Sequence, residues 1–275
     1  MDNKTLVLFV FHEYNERVAS FFKHALFEDP TVDFLVIVNN KAIDVSVPSY
    51  VRVLKRDNVG FDFGGWSDGL LTDMLYKNYD SFIFVNSSVV GPFLKAGFTG
   101  KWTDLYIGGL TGNIKLFGSS INTCTQPLVM SHVQSYIFAL GRAALEHLIS
   151  CGIFSMTDYV ATMEHAIYKR EVTMSRWIIE RGWNIGSMMS YYKGIDFTFS
   201  FKQPEACGLV FLDDPVHPPH YRRLWDEYQL VFVKGNRGFN VLGTPGPVPA
   251  PGPVPVPAPG PGHVPAPGPG HVPAT

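Results

Sequence analysis

The sequence predicts an α/β fold built on a central, mostly parallel sheet. Three observations predict it. Short, almost wholly apolar runs alternate with amphipathic stretches at helical spacing from Thr5 to about Val90, the pattern of right-handed β–α–β units. The apolar runs have no polar face, as strands buried on both sides do not. Each run also ends in polar side chains, and in an open parallel sheet ligands bind beyond the carboxyl ends of the strands.

The elements follow in order. Thr5–Phe11 is the first strand, and Asn15–Phe27 a helix with Val18, Phe21, Phe22, Ala25 and Leu26 on one side. Asp33–Val38, Tyr50–Leu54 and Ser81–Val85 are the next strands. Phe63–Lys77 carries a helical pattern through Trp66, Leu70, Met74 and Leu75. In the second half, Leu105–Leu110 and Asn113–Phe117 read as strands. Ser131–Ser150 reads as one helix, with Ile137, Leu140, Ala144, Leu145 and Leu148 on one side. Asp158–Arg181 reads as one or two helices stopped by Gly182, a residue that suits the end of a helix. Asn184–Tyr191 and Gln229–Val233 read as the last strands.

Composition bounds the partners. The chain has 275 residues, 46% of them hydrophobic and 17% charged, against ~25% charged in an ordinary soluble domain. Lys+Arg (22) and Asp+Glu (24) nearly cancel, so the basic surplus of a phosphate-gripping nucleic-acid binder is missing. Cys124, Cys151 and Cys207 are too few and too scattered for a disulfide framework or a zinc cluster. The apolar run Leu6–Phe11 is shorter than a signal peptide requires. No stretch reaches the ~20 apolar residues of a transmembrane helix. A cytoplasmic protein without a transmembrane segment is expected, with peripheral membrane contact left open.

Thirteen of the 21 prolines lie between Thr244 and Thr275, where APGPGHVP at Ala258–Pro265 recurs at Ala266–Pro273. Proline removes amide donors and fixes φ, and the glycine spacing of collagen is absent. The chain thus divides into a folded domain, 1–243, and a Pro/Gly-rich tail or linker, 244–275.

The strand ends are the candidate site. They read His12-Glu13-Tyr14-Asn15, then Asn39-Asn40, then Lys55-Arg56-Asp57-Asn58, then Asn86-Ser87-Ser88. The segment Asp57-Asn58-Val59-Gly60-Phe61-Asp62-Phe63-Gly64-Gly65-Trp66 lies between a strand and a helix. Its glycines allow positive φ and close approach of a ligand, and free amides at a helix start can meet an anion. It is neither G-x-G-x-x-G nor a P-loop.

In order along the chain come Asn58-x-Gly60-x-Asp62-Phe63, Asn86-Ser87-Ser88-Val89-x-Gly91-Pro92, Gly108-Gly109-Leu110-Thr111, His132-Val133-Gln134-Ser135-Tyr136, Tyr168-x-x-Glu171-Val172-x-x-Ser175, Gly182 and Ile185. This ordered set, from about Thr5 to Asp196, resembles the rhamnan synthesis protein F family and, more distantly, is similar to GT-A glycosyltransferases. The resemblance implies a GT-A-like, Rossmann-like three-layer fold. It also implies a glycosyltransferase that moves a sugar, rhamnose or another hexose, from a UDP-, GDP- or dTDP-sugar onto a growing surface glycan or glycoprotein. The proline-glycine tail is similar to linkers in proteins of large algal viruses, which would place the protein in a host cytoplasm.

One departure stands out. The family usually has Asn-Asp-Ser where this chain has Asn86-Ser87-Ser88, and neutral groups hold Mn²⁺ or Mg²⁺ poorly. Asp62, Ser88 and His220 are the candidate metal ligands. The donor-binding candidates are His12, Asn39, Asn40, Arg56, Asp57, Asn58, Gly60, Asp62, Asn86, Ser87 and Ser88, with Lys234 and Arg237 for the diphosphate. For the base, Asp158 and Glu171 are the candidates. The plainer alternatives are a helix N-terminal residue for Asp158 and an ion-paired surface glutamate for Glu171. His132 and Gln134 are candidates for the acceptor side, and Trp66, Tyr191 and Tyr192 for sugar stacking. Two other functions compete: a carbohydrate-binding or scaffold member that lost the metal motif, and an unrelated α/β enzyme such as a methyltransferase.

Overall fold

The computed structural model describes residues 3–123, 131–198, 216 and 220–236. In chain order its strands are β1 (Thr5–Phe11), β2 (Val32–Val38), β3 (Val51–Lys55), β4 (Ser81–Asn86), β5 (Val89–Val90), β6 (Ile114–Gly118), β7 (Ile121–Asn122), β8 (His132–Val133), β9 (Ile137–Gly141), β10 (Asn184–Ser187) and β11 (Val233–Lys234). Its α-helices are α1 (Glu16–His24), α2 (Phe61–Leu71), α3 (Trp102–Ile107), α4 (Arg142–Ser150), α5 (Met163–Ala166), α6 (Thr173–Glu180) and α7 (Glu227–Leu230).

Seven strands form one sheet in the order β10-β6-β9-β4-β1-β2-β3. All neighbours are parallel except β9, which runs antiparallel between β4 and β6. β1 is buried along its whole length, which is why it reads as an unbroken apolar run. Leu6, Leu8 and Val10 pack with α2, α4 and α6 on one face. Val7, Phe9 and Phe11 pack with α1 and α3 on the other. The result is three layers, helices over both faces of a mostly parallel sheet. Each fully buried Val, Leu or Phe adds roughly 1.5–3 kcal/mol.

The chain winds from β1 outward to β2 and β3, then returns to lay β4 on the opposite side of β1. The β1/β4 boundary is therefore the topological switch point. In the register, Phe11 meets Val38 and Val10 meets Asn86, so these strand ends are level.

Three expectations are corrected. Leu105–Leu110 is not a strand: α3 covers Trp102–Ile107, and its buried Trp102 and Tyr106 lie one turn apart against the sheet. Ser131–Ser150 is not one helix: Ile137–Leu140 is fully buried in β9, and α4 begins only at Arg142. The apolar residues of the two elements fall in step with a helical period by coincidence of register. Gln229–Val233 is split between the end of α7 and the start of β11.

Candidate active site at the switch point

A cavity of about 470 Å³ opens at the carboxyl ends of β1 and β4. Each wall comes from a different stretch of chain. His12 follows β1, and Arg17 lies in the first turn of α1, whose start is capped by Asn15 accepting from the amides of Arg17 and Val18. Asn58, Phe61, Asp62 and Phe63 come from the entry to α2, and Asn86, Ser87 and Ser88 from the end of β4. Asn122, His132, Gln134, Ser135 and Tyr136 come from β7, β8 and the turn after them. Met163, Ala166, Ile167 and Glu171 come from α5 and the π-helical turn Ile167–Val172 that joins it to α6. Lys234 and Asn236 arrive on and after β11.

The glycines of the α2 segment serve packing. A Cβ on Gly64 would lie 2.1 Å from the Val59 carbonyl, one on Gly65 2.8 Å from Val10, and one on Gly69 2.9 Å from Ile37. The bare Gly65 and Gly69 let α2 press onto β1 and β2, and the bare Gly64 leaves room for the Val59 carbonyl. Gly60 enters the helix at φ 76° and Phe61 follows at φ 55°, a left-handed conformation that is strained for a side chain as bulky as Phe. Asp62 thereby overhangs the strand ends and accepts from Asn86 Nδ2 at 3.0 Å. Burial pushes its carboxyl up to about 6, with the Asn86 bond and the charges of His12 and Lys234 working against that rise.

Glu171 is the second carboxylate of the cavity, partly buried like Asp62. The π turn aims neighbours in opposite directions: Arg170 reaches Asp158, while Glu171 faces the cavity. Glu171 accepts from Ser135 Oγ, and its other oxygen lies 3.2 Å from His132 Nε2. Burial alone would raise its pKa; His132, Lys234 and Ser135 outweigh burial and hold it below the ordinary glutamate value. The two carboxylates thus carry opposite shifts within one cavity, the pattern expected of acid–base sites.

Ser88 turns inward. Its amide and hydroxyl both donate to Asn86 Oδ1, at 3.0 and 2.6 Å. The Ser87 carbonyl accepts from Arg17 Nε at 3.0 Å, and the Ser88 carbonyl accepts from the Gly235 amide at 2.7 Å. The antiparallel pairing of β11 with β5 sets Lys234 opposite Val89.

Of the residues singled out in the sequence, His12, Asn58, Asp62, Asn86, Ser87, Ser88, His132, Gln134, Glu171 and Lys234 meet in this cavity. Others are placed elsewhere. Arg56 donates to Asp68, Asn39 and the Val59 carbonyl at 2.6, 2.9 and 2.8 Å, so its buried guanidinium cements β3 to α2 and does not line the cavity. Asn39 belongs to that same buried network. Asn40 is exposed and bonds the Ala42 amide, and Asp57 pairs with Lys41 at the surface. Gly60 packs under Tyr159. Asp158, 77% exposed at its side chain, is engaged by Arg170 and does not line the cavity. Trp66 is fully buried among Phe63, Phe84 and Phe138, Tyr192 is buried, and neither Tyr191 nor Tyr192 lines the cavity. His220 does not line it either. Arg237 and the tail from 244 lie outside the described residues.

The donor set fits a resident divalent cation badly. Hard cations want several anionic or carbonyl oxygens. At this corner Asn86 Oδ1 is occupied by Ser88, and among the described residues Asp62 is the one carboxylate bonded to the β4 end. Among the described residues no group of three or more His, Cys, Asp or Glu side chains is placed to hold a metal. Sequence reasoning missed Arg17. The signal was available: a basic residue one turn beyond the first strand, just after a helix-capping Asn.

Comparison with curated proteins finds no match. Among solved structures, the crystal structure of A197 from STIV is similar at 12% identity and a TM-score of 0.29, covering 52% of this chain and 67% of that one. The family model of rhamnan synthesis protein F matches residues 35–210, more than half of the chain. The match takes in α2, the β4 corner, His132 and Glu171. The chain belongs to the rhamnan synthesis protein F family, whose work is polysaccharide synthesis.

Proposed function

We propose that the protein is a glycosyltransferase of GT-A type that moves a sugar from a nucleoside-diphosphate donor onto a glycan or glycoprotein acceptor. Rhamnose is the first sugar to test. The observation that carries this reading is the convergence, at the switch-point cavity, of Arg17 and Lys234 with the partly buried carboxylates Asp62 and Glu171. Sugar transfer asks for both: cationic groups for the leaving diphosphate, and a carboxylate for the acceptor hydroxyl.

Glu171 is the base in this reading. It stays ionised at neutral pH, and Ser135 and His132 fix its orientation. A carboxylate has about four lone-pair positions, so two bonds leave room for an acceptor hydroxyl. Asp62, with a carboxyl that shares its proton near neutrality, faces the donor sugar and can donate to or accept from its hydroxyls. Gln134 and Ser135, on the Glu171 side, hold the acceptor. Alignment of the two sugars in one cavity supplies the remainder of the rate.

The test is release of nucleoside diphosphate from UDP-, GDP- and dTDP-sugars in the presence of glycan acceptors, alongside thermal shift. A donor at a hundredfold excess over its Kd stabilises the protein by about 2.7 kcal/mol. Turnover that Glu171→Gln abolishes supports the reading. Binding of a sugar ligand without turnover points instead to a carbohydrate-binding member of the family. No nucleotide binding at all overturns the proposal.

A further inference from the structure

The corner after β4 carries no acid, yet two cations from distant parts of the chain are built onto it. Arg17 arrives from α1. Its Nε is tied to the Ser87 carbonyl at 3.0 Å, which restrains the guanidinium, and Arg17 lines the cavity. Among the described residues Arg17 makes no ion pair, unlike Arg56 and Arg170, whose guanidinium groups are locked to Asp68 and Asp158.

Lys234 arrives from β11. The next residue, Gly235, donates its amide to the Ser88 carbonyl at 2.7 Å. A Cβ on Gly235 would lie 2.4 Å from Val90 Cγ2 and 3.1 Å from Arg17 Cδ. The bare glycine is what lets the Arg17 stem pack against β11 beside Lys234. The Ser87 and Ser88 carbonyls therefore anchor one cation-bearing segment each. Lys234 lines the cavity, and its charge acts on both Asp62 and Glu171.

We propose that Arg17 and Lys234 grip the diphosphate of the donor directly, so that this site neutralises the leaving group with a guanidinium and an ammonium and needs no divalent cation. The inference rests on the glycosyltransferase reading and deepens it. The two positive charges match the two charges of a nucleoside diphosphate linked to a sugar. A guanidinium fixed at one nitrogen presents its remaining N–H groups as a fork suited to phosphate oxygens. As the sugar–oxygen bond breaks, the electron pair stays on the diphosphate, and the fixed cations stabilise it without reorganising.

Calorimetric titration of the full chain with UDP, GDP and dTDP, once in EDTA and once in MnCl₂, tests this. The nucleotide that binds is expected to bind equally, within about threefold, in the two buffers. Arg17→Ala and Lys234→Ala should each weaken it by about tenfold or more, about 1.4 kcal/mol. Inorganic pyrophosphate should compete in the wild type and fail to bind the double variant. Arg17→Lys keeps the charge without the fork and should fall between wild type and Arg17→Ala. It also covers the case in which Arg17→Ala unfolds, which melting curves will show. Binding that vanishes in EDTA, or variants that bind like wild type, overturns the inference and leaves the glycosyltransferase reading standing. Absence of nucleotide binding in both buffers overturns that reading and this inference together.

Discussion

The two ends of the central sheet both carry clustered charges and use them in opposite ways. At the amino ends of the parallel strands, Lys4 pairs with Asp33 at 2.9 Å, Tyr79 donates to Asp33 at 2.6 Å and Arg52 donates to Tyr79 at 2.5 Å. Arg142, at the same end because β9 runs in reverse, pairs with Asp80 at 2.9 Å. These groups answer one another, and they line no cavity described above. At the carboxyl ends, Arg17, Lys234, Asp62 and Glu171 are drawn around open space, and one carboxylate is pushed up while the other is held down. Paired charge at one end is structure. Charge gathered around a cavity at the other is, in the proposed reading, binding and chemistry.

The largest expected effect breaks the site end alone. Glu171→Gln should lower kcat for donor turnover by about 10²–10⁴-fold, while Asp80→Asn at the opposite end should leave it within about twofold. A collapse of activity in Asp80→Asn would erase the distinction between the two ends.

Next come the supports of the site. Gly65→Ala places a methyl 2.8 Å from Val10 and 3.0 Å from Asn39 Oδ1. It should cost roughly 1–3 kcal/mol in urea unfolding and should lower activity as well, because α2 carries Asp62. Unchanged stability would mean that α2 does not sit tightly on the sheet.

Asp62→Asn should raise stability, a result no paired carboxylate at the other end would give. The folded carboxyl titrates at about 6 against an ordinary 3.8. Between those values the folded state holds a proton that the unfolded state has lost, so the wild type loses stability as pH rises from about 4 to 6. The variant lacks that loss. Its advantage should reach up to about 3 kcal/mol above pH 6 and vanish below pH 4, as read from melting curves across the range.

The smallest effect is expected at the amino end. The Arg142–Asp80 pair is partly exposed on both sides, so Arg142→Ala should change stability by about 1 kcal/mol or less and turnover not at all.

Much of this was legible in the sequence, for physical reasons. β1 and its parallel neighbours are buried on both faces, so their apolar runs end where the strands end. The polar ends of β1 and β4 then marked the site, because the topology brings those ends together at the switch point. What failed was where tertiary context overrides local pattern. β9 and α4 merged into one apparent helix because both carry apolar residues and α4 follows directly on Gly141, the last residue of β9. Arg56, Asn39 and Asp158 had the right chemistry, but partners for it lay nearby: Asp68 and the Val59 carbonyl engage Arg56, Arg56 and the Phe61 carbonyl engage Asn39, and Arg170 engages Asp158. For Arg17 the sequence offered only its place just after a helix-capping Asn; its contacts with Ser87 and Gly235 lie 70 and more residues away along the chain.

The most direct test is a crystal structure with a nucleoside diphosphate bound in the presence of EDTA. The diphosphate is predicted between Arg17 and Lys234, over Ser87 and Ser88, with the sugar side toward Asp62 and Glu171. Diphosphate density at any other edge of the sheet, or an empty switch-point cavity at saturating nucleotide, would contradict it.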